Sequence, residues 1–177
     1  MNNAVLQAIA DRRSNRGYNS RQLTEEELDA ILRAAVQAPS ARNSQPWHFC
    51  VVQDAALLKA YSDDYNRLQG NDTGRDVLFF GAPTVVFILT PVEAPTDFAQ
   101  VDCGIAVQNM ALAAHSIGLG SVILGRPKEV LKSDKGSYYA KAMGFPEGYT
   151  FAIAIALGEP TVTKEAHVPR EGMVTRV

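Results

Sequence analysis

Between Phe98 and Ile117 the chain carries Ile105, Ala106, Val107, Met110, Ala111, Leu112, Ala113, Ala114 and Ile117, so a helix drawn through this stretch is apolar almost all the way round. Asp102, Asn109 and Ser116 recur every seven positions, with Gln108 and His115 beside them, which leaves only a narrow polar seam. Such a helix has to be covered on most sides. The chain must either wrap it at the centre of a domain or share it with a second copy, and a dimer interface covers it more naturally. At 177 residues the chain suits one domain, residues 1–177, able to bury roughly 70% of its unfolded surface. His115 reads as a hydrogen-bonded seam residue rather than a base or metal ligand.

The elements needed to wrap this helix are signalled on both sides of it. Asn2 or Asn3 can cap a first helix with an apolar face of Val5, Leu6, Ile9 and Ala10. Thr24 and Glu27 form a capping box for a second, whose face is Leu28, Ile31, Leu32 and Ala35 and which Pro39 ends at or before Ala38. Trp47 to Val52 follows as a strand, and Asp54 can cap a helix carrying Leu57, Leu58 and Tyr61. The run from Asp63 to Asp76 is the most polar of the chain and reads as a mobile surface loop or helix pair, suited to a substrate lid. Pro83 to Thr90 reads as a strand buried on both faces. Beyond the long helix come the strand Val122–Leu124 closed by Gly125, a short helix Lys128–Leu131 after Pro127, and a helix around Tyr138 to Met143. Phe151 to Leu157 alternates large and small, a strand with one bulky and one closely packed face. The tail, Thr161 to Val177, is polar and carries Lys164, His167, Arg170 and Arg176.

Several chemistries are argued against. With 17 basic and 19 acidic side chains the net charge is −2, which gives no electrostatic case for nucleic acid or an anionic membrane. Cys50 and Cys103 lack a Cys-x-x-Cys spacing and read as reduced core residues of a cytoplasmic protein, with a single disulfide left open. The N-terminus lacks the pattern of a signal peptide, and no segment reaches the length of a membrane span. His48, His115 and His167 do not cluster, which argues against a metal site. Gly118-Leu119-Gly120 does not fit the dinucleotide fingerprint, and there is no Walker lysine or Gly-x-Ser-x-Gly elbow. No protein nucleophile stands out.

Two polar segments are richer than turns require. Ala38 to Phe49 reads Ala-Pro-Ser-Ala-Arg-Asn-Ser-Gln-Pro-Trp-His-Phe. It is either a polar connection punctuated by proline or a rim whose prolines fix the backbone so that Ser40, Asn43 and Gln45 present hydroxyl and amide groups to a planar heterocycle. Upstream, Arg12-Arg13-Ser14-Asn15-Arg16 follows the first helix. Its arginines either face the negative end of the helix dipole or grip a phosphate, whose oxygens match guanidinium forks and to which the Ser14 hydroxyl adds a donor.

Together, Pro-Ser-x-x-Asn-x-Gln-Pro-Trp at 39–47 and Arg-x-Ser-x-Arg at 12–16 resemble the signature segments of the nitroreductase family of FMN-dependent oxidoreductases, and the likeness runs from Arg12 to about Arg170. The resemblance implies an α+β fold with a mixed, mainly antiparallel central sheet flanked by helices, and an intertwined homodimer with FMN sites at the subunit interface. It implies that Arg12 and Ser14, with Arg13 in the same run, hold the phosphate. Arg16 would approach the pyrimidine edge, where a cation near N1 and O2 stabilises the anionic reduced flavin and favours hydride uptake at N5. Pro39, Ser40, Asn43 and Gln45 would approach from the partner subunit, Asn71 would lie against the flavin, and backbone N–H groups near Leu124 and Gly125 would face N5 and O4, glycine permitting the approach. Arg170 is the candidate for a further basic residue on the phosphate, although the Lys164, His167, Arg170 spacing departs from the commoner tail pattern. The implied activity takes hydride from NADH or NADPH and reduces nitroaromatics, quinones or similar acceptors. Its kinetics would be ping-pong, because both substrates use one flavin face in turn. The alternative is a flavin-binding sensor or storage protein on the same fold.

Overall fold

The computed structural model describes residues 3–71, 74–162, 164–166 and 168–177. Among them the order is α1 (Ala4–Asp11), α2 (Glu25–Val36), a 3-10 turn (Ala41–Asn43), β1 (His48–Val52), α3 (Ala55–Leu68), β2 (Thr84–Pro91), α4 (Ala99–Ser116), β3 (Gly120–Leu124), α5 (Lys128–Leu131), α6 (Gly136–Ala142) and β4 (Tyr149–Gly158). The caps act where the sequence puts them. Asn3 accepts from the Leu6 N–H, Thr24 and Glu27 complete the capping box, and Asp54 accepts from the Ala56 and Leu57 N–H groups.

The strands form one sheet in the order β1-β2-β4-β3, and every pairing among them is antiparallel. The parallel component is reduced to an isolated bridge between Ser14 and Ser121. Alternation along β2 and β4 builds the two halves of the core. Val85, Phe87, Leu89, Ala154 and Ala156 face Tyr61, Tyr65, Phe79 and Tyr139 on one side, where α3, α5 and α6 lie. Val86, Ile88, Ile155 and Leu157 face Ile31, Cys103, Val107, Met110 and Ala114 on the other, where α2 and α4 lie. The small face of β4 thus lets the aromatic cluster close in. α4 is covered by α2 and the sheet, and Asn109 on its seam donates to the Ala34 carbonyl. His115, expected to be hydrogen-bonded, has no side-chain hydrogen bond among the described residues.

The structure also refines three readings. The polar run from Asp63, read as a surface loop or helix pair, is helical at its start: α3 continues to Leu68, and Asp64, Tyr65 and Asn66 are buried rather than on the surface. Their partners come from distant chain. The Asp64 carboxylate accepts from Lys135 Nζ at 2.7 and 2.8 Å and from the Tyr139 hydroxyl at 2.6 Å, and it is paired with Arg67. Residues 72–73 of that run, like His167 in the tail and Asn2, lie outside the described residues. The apolar face of α1 is not buried within the chain, since Val5 is 65% and Ile9 52% exposed. The first edge strand begins at His48 rather than Trp47.

Candidate functional site

At Asp11 helix α1 ends, and the next residues are captured by the β3 edge. The Asn15 N–H donates to the Ser121 carbonyl at 2.9 Å, and the buried Asn15 side chain accepts from the Ser121 N–H at 3.2 Å while donating to the Val162 carbonyl at 3.1 Å. A Cβ on Gly120 would lie 2.9 Å from Asn15 Cγ, so this close approach requires glycine. Tyr18 completes the clamp, its hydroxyl donating to the Asn15 carbonyl at 2.8 Å. Burial pushes that phenol well above its usual range, and the Arg16 guanidinium offsets the effect only in part.

The three arginines on this clamped segment are not equivalent. Arg13 donates to the Ala10 and Arg12 carbonyls at 2.6 and 2.8 Å, which is the helix-terminal role. Arg12 has no side-chain hydrogen bond or ion pair among the described residues. The guanidinium of Arg16 lies over the Phe80 ring, 5.8 Å from its centroid, with one long contact of 3.5 Å to the Ser14 carbonyl. Arg12, Ser14 and Arg16 therefore leave donors uncommitted beside Ser121. Along β3, Leu124 is buried, and nothing lies within 4 Å of a Cβ built on Gly125. Ser121 and Gly125 are roughly 13 Å apart at strand rise.

The loop before β1 is built differently. Arg42, Asn43 and Gln45 have φ of +55°, +54° and +45°, left-handed positions without a glycine, on either side of a right-handed Ser44. Each such residue costs on the order of 1–2 kcal/mol, so local bonds must hold the run. The Gln45 N–H donates to Ser40 Oγ at 2.9 Å and Gln45 Nε2 to Asn43 Oδ1 at 3.1 Å. The Ala41 N–H donates to both oxygens of Asp102, each at 3.2 Å, and Asp102 is buried in the first turn of α4. Ser44 Oγ is buried without a partner among the described residues. Pro39 and Asn43 are exposed, Ser40 is half-buried, and the loop presents Arg42, Asn43 and Gln45 outward.

No hydrogen bond or ion pair joins these two regions among the described residues. The loop precedes β1 and the arginine segment adjoins β3, so they flank opposite edges of the sheet, about 14 Å apart at the usual strand spacing. Asn71 is half-buried past the end of α3, its N–H donating to the Asn66 carbonyl, and it lines a cleft with Asp63, Asn66, Arg67 and Gly74. No contact joins it to Arg16 among the described residues. The tail leaves directly beside the clamp, where the Thr161 N–H donates to the Gly17 carbonyl at 3.0 Å; Arg170, farther along, is exposed and without secondary structure. Burial pushes both thiols, Cys50 and Cys103, up to about 11, which leaves neither as a thiolate near neutral pH. Sequence reasoning missed Asn15 and Asp102. Asn15 stands inside the arginine run and Asp102 on the polar seam, but the partners that give them their roles lie far away in the chain.

The chain belongs to the nitroreductase family, whose sequence profile matches residues 9–159. It is 36% identical over 163 residues to an Archaeoglobus fulgidus protein provisionally named NADH dehydrogenase/NAD(P)H nitroreductase, covering 90% of this chain and 87% of the relative. Its fold superposes with a TM-score of 0.88 on a Bacteroides fragilis nitroreductase crystallised with bound FMN, at 27% identity and covering 99% of this chain and 100% of the other. A Desulfitobacterium hafniense nitroreductase with bound FMN gives a TM-score of 0.85 at 35% identity, with both chains covered in full. The α+β fold with an antiparallel central sheet is the one these neighbours share. No helix among the described residues is long and apolar enough to cross a membrane.

Proposed function

We propose that this protein is an FMN-dependent oxidoreductase that takes reducing equivalents from NADH or NADPH and passes them to nitroaromatics, quinones or similar planar acceptors. One observation carries the reading: uncommitted cationic donors stand at one end of β3 and open space stands over glycine at its other end. That arrangement fits a ligand with a phosphate at one end and a planar ring at the other. Arg12 and Ser14 hold the phosphate, with Arg13 buttressing them from the helix end, and a tail residue such as Arg170 can join them. Arg16 brings positive charge to the pyrimidine edge, where it favours the reduced form. The N–H groups near Leu124 and Gly125 face the ring, and Asn71 reaches it from the end of α3. When bound, FMN supplies the hydride-accepting chemistry that no side chain here can provide.

The remaining wall comes from a second copy. Pro39, Ser40, Asn43 and Gln45 of the partner subunit close the site, because the cis loop lies at the wrong sheet edge. The exposed apolar residues of α1, with Phe98 and Val101 at the start of α4, supply the surface for such a homodimer, being between 46% and 65% exposed in the single chain. Residues 1–177 act as one FMN-binding domain. Nicotinamide and acceptor use one place in turn, which gives ping-pong kinetics. The test is rapid mixing of the FMN-loaded protein with NADH and, separately, NADPH. Loss of the oxidised-flavin absorbance with either, restored by a quinone, is expected. Bound FMN that neither nicotinamide reduces would assign the protein to sensing or storage instead.

A further inference from the structure

Four non-glycine residues among those described have a left-handed backbone, and the fourth, outside the 42–45 loop, is Phe80 at φ +60°. Such a conformation in a bulky side chain marks a constraint imposed by its surroundings. Its source is Asp76. That carboxylate accepts from the Leu78, Phe79 and Gly81 N–H groups at 3.1, 2.8 and 2.9 Å and from the Ser62 hydroxyl at 2.5 Å, so the whole turn is wound around one anion. Winding it this way sorts two adjacent aromatic rings. Phe79 enters the core against Tyr61 and Phe87, with centroids 5.6 and 6.2 Å away. Phe80 stays half-buried at the margin of the same core and lies under the guanidinium of Arg16. An arginine within about 6 Å of a ring centroid is attracted by the face of the ring, and Arg16 has no carboxylate partner among the described residues to compete with it.

We infer that Phe80 is a positioning residue for Arg16: the ring, fixed by the Asp76 turn, holds the guanidinium at the flavin's pyrimidine edge and so sets how strongly the site favours reduced over oxidised FMN. The inference rests on the FMN reading above. Its distinguishing consequence is that Phe80 acts only through Arg16. A bare hydrophobic contact would act on its own.

The experiment measures the midpoint potential of bound FMN and the FMN affinity of the refilled apoprotein for wild type, Arg16→Ala, Phe80→Ala, Phe80→Leu, Phe80→Tyr and the Arg16→Ala/Phe80→Ala double variant. Arg16→Ala is expected to lower the preference for reduced FMN about tenfold, which for a two-electron couple is about 30 mV. Phe80→Ala and Phe80→Leu should each lower it by about two- to fivefold, the range of one cation–π contact. Phe80→Tyr should match wild type, and Phe80→Ala should add nothing once Arg16 is gone. A Phe80→Ala shift that persists in the Arg16→Ala background overturns the inference, as does a Phe80→Leu variant with wild-type potential. Should Phe80→Ala fail to fold, the Leu and Tyr pair decides the matter. Failure of the underlying reading looks different, since wild type itself would then bind no FMN. FMN bound normally, with a potential indifferent to Arg16→Ala, would leave the cofactor in place and remove the role of both residues.

Discussion

The arginine segment and the 40–45 loop are both short, polar and proposed to touch the same ligand, yet they are held in opposite ways. Asn15 is locked by bonds to Ser121 and Val162, more than a hundred residues away, so its geometry is part of the sheet edge. The loop is strained at Arg42, Asn43 and Gln45 and is held by its own side chains and one buried carboxylate, Asp102. A segment fixed by the fold fails when the fold fails. A segment fixed by local bonds can loosen while the fold stands.

That contrast predicts a graded set of effects. Asn15→Ala, the largest, removes two hydrogen bonds and leaves the buried Ser121 N–H unpaired, costing about 2–4 kcal/mol. Thermal unfolding should show a fall of several degrees, at about 2–4 °C per kcal/mol for a chain of this size, together with loss of flavin. Arg12→Ala should leave Tm unchanged and weaken FMN about 10- to 100-fold, the range of a charge-assisted hydrogen bond, with little change for riboflavin. Titrations of the apoprotein with both flavins check this, and equal losses for the two would remove Arg12 from the phosphate. Asp102→Ala should also spare Tm, because the desolvation cost of the carboxylate disappears with it and the half-buried Ala41 N–H can turn to water. Here FMN and riboflavin should weaken alike, about tenfold, and amide exchange should accelerate at 41–45 alone. Faster exchange throughout the chain would mean that Asp102 supports the fold rather than the loop.

The Asp64 cluster lies outside both regions and acts on stability without touching the flavin. Burial opposes the charge of Asp64, but hydrogen bonds from Lys135, Tyr139 and Arg67 outweigh it and hold the carboxyl below its usual range. A group with a depressed folded pKa stabilises above its unfolded value, about 3.9, and loses that contribution as pH falls through the folded one. Tyr139→Phe should therefore cost about 1.5 kcal/mol at neutral pH and progressively less as the pH drops below 4. Denaturant melts at several pH values measure this, and FMN affinity should not change.

Much of the fold was legible because its signals are local. Thr24, Asp54 and Pro127 mark helix starts, and the alternation of Phe151 to Leu157 gives both faces of β4. The burial at the end of α3 was not legible: Asp63, Asp64, Asn66 and Arg67 read as a surface loop or helix pair, and Lys135 and Tyr139, some seventy residues on, join Arg67 in making a buried Asp64 tolerable. Pro39 and Pro46 announce a fixed turn, but nothing in the identities of Arg42 and Gln45 announces a left-handed backbone. Arg12 and Arg13 are alike in sequence, and only the Ala10 carbonyl separates the cap from the free cation. The apolar face of α1 was readable as a face, but whether a partner covers it depends on a chain other than its own.

The central claim is that the two regions, at opposite sheet edges of one chain, complete one site only across two chains. Co-expression of differently tagged copies, one carrying Arg12→Ala and Arg16→Ala and the other Ser40→Ala and Asn43→Ala, tests it most directly. Each altered homodimer should bind FMN weakly. The purified heterodimer should recover one tight FMN per two chains, because one of its two sites then draws only on unaltered halves. A heterodimer as weak as its parents would place both halves of the site in a single chain and contradict the account.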